Sequence, residues 1–164
     1  MERGSMDSTV AKLKKNASTE IWICLRKFES RQYIDIREHF FSIEDSQWRP
    51  TRRGVMVVPE VLTKLVDGIT TLESATEIGT LATISKSKHS EVQIGYRQFG
   101  KHRYGEIRLW YRAKETAEMK PSQKGVTFRP ELAASLIAAL TEAGSYLASH
   151  VDSANEIRTF QAAH

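Results

Sequence analysis

Apolar and polar residues alternate along residues 21–28. Ile21, Ile23 and Leu25 fall on one side, and Trp22, Cys24, Arg26 and Phe28 on the other. A period of two is the pattern of a half-buried strand. Glu29, Ser30 and Arg31 suit a turn, and residues 32–41 alternate again, with Ile34 and Ile36 inward and Tyr33, Asp35 and Arg37 outward. Residues 42–53 read as a charged loop around Pro50, and 54–58 as a short valine-rich strand. The period then changes. Val61, Leu62, Leu65, Val66 and Ile69 recur at helical spacing after Pro59 and Glu60. Proline suits a first helical turn, and glutamate suits the positive end of the helix dipole. A helix over 59–75 is predicted.

The same series then repeats. Strands are predicted at 92–99, 103–111 and 125–128, followed by a helix over 130–150 with Leu132, Leu136, Ile137, Leu140 and Leu147 on its apolar side. The two series share one register. W-R-P-T-R-R-G-V-M-V-V-P-E at 48–60 answers M-K-P-S-Q-K-G-V-T-F-R-P-E at 119–131, and Gly54 falls 71 positions before Gly125. The offset also pairs Glu20 with Glu91, Arg26 with Arg97, Phe28 with Phe99, Tyr33 with Tyr104 and Arg37 with Arg108. A duplicated module follows. Each copy is too small to cover its own helix stripe. The fold class is therefore α+β: two repeats, each an antiparallel sheet followed by one helix, packed as an intramolecular pseudo-dimer through the helices. The expected divisions are a basic flexible arm at 1–19, repeats at 20–75 and 91–150, a Thr/Ser/Gly/Lys-rich linker at 76–90 and a tail at 151–164. Met1 to Ser5 reads as a cloning remnant before a native Met6.

Composition is globular, with 40% hydrophobic and 27% charged residues. The net charge of +4 allows an anionic partner without requiring one. Its distribution says more. Residues 20–69 hold eight Lys/Arg against eight Asp/Glu, and 91–140 hold nine against five. A fused pair is free of the identity that a homodimer imposes. One continuous binding path with unequal halves is expected, the second half making more phosphate contacts. The single cysteine, Cys24, excludes an internal disulfide and fits a reducing compartment. That places the chain inside the cell, in the nucleus if eukaryotic and in the cytoplasm or nucleoid if bacterial. The apolar runs read as too short for a membrane span.

The outer strand face carries the chemistry. Arg26 and Phe28 project together, as do Arg97 and Phe99, and the neighbouring strands add Arg37 and Arg108. Trp22, His39 and Phe40 lie near the first group, and Tyr104, Trp110 and Tyr111 near the second. The segments before the glycines add Arg49, Arg52 and Arg53, then Lys120 and Lys124. Cations for phosphates interleaved with flat rings for unstacked bases are what single-stranded nucleic acid requires.

These residues resemble the positive-cofactor-four family of transcriptional coactivators. The likeness rests on I-D-I-R-E at 34–38 with the block that follows, and on E-I-R at 106–108 with its own block. It covers about 20–72 and 91–145. It implies a curved antiparallel sheet plus a helix in each unit, dimerisation through helices, and a groove for single-stranded DNA. Carried over, Arg26, Phe28, Arg37, Phe40, Arg49 and Arg53 would line the groove in the first copy. Arg97, Phe99, Arg108, Tyr111, Lys120 and Lys124 would do so in the second. Two copies in one chain, and Phe40 and Tyr111 where the family often has Trp, are departures.

The resemblance implies a DNA-binding protein of transcription, replication or repair, with single-stranded DNA as partner and the chain acting as a monomer. RNA, the transcription machinery or another acidic protein partner are the alternatives. No enzyme is expected: the histidines have no metal-ligand spacing with Cys24 or one another, and no glycine-rich phosphate loop appears. No metal and no cofactor are expected.

Overall fold

Strand alternation and the two proline-led helices set the element order. A computed structural model describes residues 7–162, with side chains through Ser149. β1 (Ser8–Asn16), β2 (Thr19–Phe28), β3 (Arg31–Ser42) and β4 (Gln47–Val57) form one antiparallel sheet in sequential order. After a short 3-10 turn at Pro59–Val61 comes α1 (Leu62–Ser74). β5 (Gly79–Ser87), β6 (Ser90–Phe99), β7 (His102–Arg112) and β8 (Met119–Phe128) form the second sheet, again in sequential order. Pro130–Leu132 makes the matching turn before α2 (Ala133–Ala162). The duplication is thus visible element by element, and the class is α+β.

The helices join the halves. α1 packs on α2 and on β5 and β6, while α2 packs on β1 and β2. Each helix therefore covers the other repeat's sheet. Ile21, Ile23, Ile34 and Ile36 share one core with Ile94, Ile107, Leu65, Ile69, Leu136 and Leu140, all fully buried. Gly68 permits the close approach, since a Cβ there would stand 2.6 Å from Ile94 Cδ1. Tyr96 Oη donates to the Leu72 carbonyl across the junction. The expected pseudo-dimer through the helices is what the chain forms, and neither repeat could bury its core without the other.

Several expected divisions differ. The arm at 1–19 contains β1, and the linker at 76–90 contains β5; both are edge strands paired to the next strand. Each carries a bulge, between Thr9 and Ala11 and between Thr80 and Ala82. The extra residue sets two apolar positions side by side and breaks the period. The loop at 42–53 is mostly β4, whose Pro50 is tolerated because β4 is an edge strand. The tail at 151–164 is helical as far as Ala162. Residues 1–6, with the Met1–Ser5 reading, lie outside the described residues.

One further difference concerns α2. Residues 130–149 are long and apolar enough to cross a membrane, with a mean hydropathy of 1.2. In this fold Ala133, Leu136, Ala139, Leu140, Ala143 and Leu147 use that apolarity to cover the core.

Candidate nucleic-acid interface

The outer strand face is built around two buried carboxylates. Asp35 on β3 is fully buried. It accepts from Arg26 Nε at 2.7 Å and from Arg37 Nε at 3.2 Å. Glu106 on β7 holds the equivalent place, with Arg97 Nε at 3.1 Å and Arg108 Nε at 2.9 Å. A carboxylate thus fixes two guanidiniums in each half, leaving one net positive charge per cluster before Arg26 meets Asp7 at 2.9 Å.

The repeated glycine and hydroxyl complete the arrangement. Arg37 lies over Gly54, where a Cβ would stand 2.6 Å from the guanidinium carbon. Gly125 gives Arg108 the same room, since a Cβ there would meet Arg108 Cβ at 2.9 Å. Thr51 Oγ1 donates to the Glu38 carbonyl, and Ser122 Oγ to the Leu109 carbonyl, pinning a bulge in β4 and in β8. The bulged carbonyls of Thr51 and Ser122 then accept from Arg37 Nη1 and Arg108 Nη1, both at 2.8 Å. The P-[TS]-x-[RK]-G spacing is therefore the device that aims one arginine in each half.

The candidate residues do not line one groove per half. Phe28 and Phe99 sit at the hairpin tips, 64% and 83% exposed. Phe28 pairs with Arg31, so it stands about 20 Å along the strand from Arg37 at ~3.4 Å per residue. Phe40 and Tyr111 share strand parity with Ile36 and Ile107, not with Arg37 and Arg108. Their register partners are Arg49 and Lys120. These register partners thus occupy the far ends of the inner faces, with Phe40 and Tyr111 43% and 44% exposed. Arg49 is paired with Asp45.

Between the sheets the structure brings other candidates together. A groove of about 750 Å³ holds Arg37, Arg52, Tyr111 and Lys124, with Lys86 at its side. A second, of about 540 Å³, holds Arg108, Arg52 and Arg53. Arg52 and Gln123 line both, as residues near a pseudo-two-fold axis should.

Some expected rings are not available. His39 stacks on Trp22 with centroids 3.9 Å apart and planes 9° apart. Lys12 Nζ sits 4.3 Å from the same indole. Burial holds the His39 imidazole below its ordinary pKa, against the hydrogen bond with the Arg37 carbonyl. Cys24 is buried, and that burial pushes its thiol up, as for a packing cysteine. Lys86 lies in the segment whose composition reads as a linker; the repeat offset, which pairs it with Lys15, is the sequence signal for it.

The profile of the family described as Transcriptional Coactivator p15 (PC4) matches residues 15–68 and 84–139, well over half of the chain. The chain belongs to that family. The two matches fall one on each repeat, and the fold is accordingly the DNA-binding coactivator fold of the family in tandem. Among solved structures, the chain is similar to a PC4 homolog from Burkholderia pseudomallei. Identity is 28%, over 46% of this chain and 100% of that one, with a TM-score of 0.41. It is also similar to the bacteriophage T5 homolog of the eukaryotic transcription coactivator PC4, implicated in recombination-dependent DNA replication. Identity there is 21%, over 42% of this chain and 78% of that one, with a TM-score of 0.37. No curated protein matches the chain.

Proposed function

We propose that this chain is a monomeric single-stranded DNA-binding protein that acts as a non-enzymatic factor in transcription, replication or repair. The observation that carries the reading is the pair of cation-lined grooves between the sheets, one of them lined by the exposed Tyr111 ring. Phosphates would meet Arg52, Lys124 and Arg53, while bases would reach Phe28, Phe99, Phe40 and Tyr111. Arg37 and Arg108, held by their carboxylates, present a fixed N–H fork and only part of a charge. Little base preference is expected, because a ring face accepts any base.

Alanine at the hairpin tips tests the stacking half of this reading. Phe28→Ala or Phe99→Ala is expected to weaken binding of an oligo-dT strand by about 1–3 kcal/mol each. The salt slope should hardly move, since no cation is lost. Because both rings stand in solvent, the urea midpoint should also stay in place. Unchanged affinity in both variants would remove the tips from the interface. Equal affinity for an oligo-rU strand would point to RNA as an equal partner.

A further inference from the structure

One matched position sets the charge of the two grooves apart. On β3 it is Glu38; on β7, at the same place in the repeat, it is Leu109. Glu38 is buried and engages two cations. Lys15 Nζ lies 3.0 Å from Oε2, and Arg53 Nη1 lies 3.4 Å from Oε1. Lys15 also donates to Thr127 Oγ1 of the other sheet at 3.1 Å.

In the wider groove the equivalents are Lys86, Lys124 and Met56. Lys86 reaches across to the other sheet just as Lys15 does, and donates to the Met56 carbonyl at 3.0 Å. Among the described residues no carboxylate lines this groove, because Leu109 stands where Glu38 would be. Neither Lys86 nor Lys124 has an ion pair among the described residues. The same geometry therefore holds a partly neutralised site in one half, two cations against one carboxylate, and an unneutralised pair of cations in the other.

We propose that the wider groove, marked by Lys86, Lys124 and Arg52, is the principal phosphate-binding site of the chain, and that the Glu38 carboxylate occupies the equivalent anion position in the other groove. The proposal rests on the single-stranded DNA reading and adds which groove holds the strand's phosphate more tightly. Glu38 acts as a built-in anion; the Leu109 groove must take its anion from a ligand. Burial, and then the charge of Lys124, hold the Lys86 ammonium below its ordinary pKa. A bound phosphate oxygen would relieve that penalty. The wider groove is also continuous with the exposed Tyr111 ring, so a base attached to that phosphate has a face to stack on.

Matched exchanges test this. Lys86→Gln and Leu109→Glu should each lower affinity for oligo-dT about tenfold, a change of ~1.4 kcal/mol. Each should also reduce the salt slope by about 0.7, the loss of one phosphate contact on a single strand. Lys15→Gln should stay within about twofold of the parent, and Glu38→Leu should raise affinity. Urea midpoints measured on all four variants separate binding from folding. Equal losses from Lys15→Gln and Lys86→Gln would overturn the proposal while leaving strand binding intact. If the parent binds no oligonucleotide, the DNA reading fails. Titration with inorganic pyrophosphate, read at the lysine ε-carbons by NMR, then decides the groove. Movement of Lys86 without Lys15 sustains it, and movement of both or of neither overturns it.

Discussion

Asp35→Ala is expected to lower folding stability by about 3–5 kcal/mol, the cost of leaving buried charges without their partner. Asp35 has no exposed surface, and the Arg26 and Arg37 side chains beside it are only 28% and 19% exposed. Arg37 cannot turn fully to water without giving up the aim that the Gly54 gap and the Thr51 carbonyl impose. Asp35→Asn keeps the shape and one acceptor, and should cost clearly less. The fraction of either variant that stays folded should bind oligo-dT with a steeper salt dependence, since two cations are released from an internal anion. Urea unfolding with an unchanged slope and a shifted midpoint would show the stability effect. A midpoint within about 0.5 kcal/mol of the parent would mean that the pairs are surface decoration.

Phe128→Ala is expected to cost a similar about 3–5 kcal/mol, as for other fully buried rings. Its environment is unusual. Phe128 pairs across the sheet with Gly105, and a Cβ on Gly105 would stand 2.4 Å from the ring. In the first repeat the same pair is Val57 and Ile34. The volume has moved from one strand to its neighbour between the copies, which close packing requires. Gly105→Ile alone should overpack the site by about 1–3 kcal/mol. Combined with Phe128→Val it rebuilds the first repeat's pair, so the double variant should cost less than the two single changes together. Additive losses would show that the two positions are independent.

Much of the fold is written in the chain because the duplication samples it twice. Ile21, Ile23 and Leu25 set the inner face of β2, and Pro59 and Pro130 mark the helix starts. β1 and β5 are harder to see. They are edge strands with one half-buried face, and their bulges place Val10 beside Ala11 and Leu81 beside Ala82, where strict alternation ends. The charged segment 47–53 hides a strand because its bulge exposes consecutive cations. Of the site, the arginines and the hairpin phenylalanines are legible by type. Strand parity also separates Phe40 and Tyr111, which share the face of Ile36 and Ile107, from Arg37 and Arg108. The ion pairs of Asp35 and Glu106 were within reach, since residues two apart on a strand share a face. The groove cations Lys15 and Lys86 share the repeat offset, but their place beside the groove shows only once the edge strands β1 and β5 are in place.

The most direct test of the DNA-binding reading is a salt titration of affinity for oligo-dT against a matched duplex. A clear preference for the single strand is expected, with a linear fall of log affinity with log salt at a slope of about −0.7 for each phosphate engaged. Equal affinity for the duplex, or an affinity indifferent to salt, would contradict it.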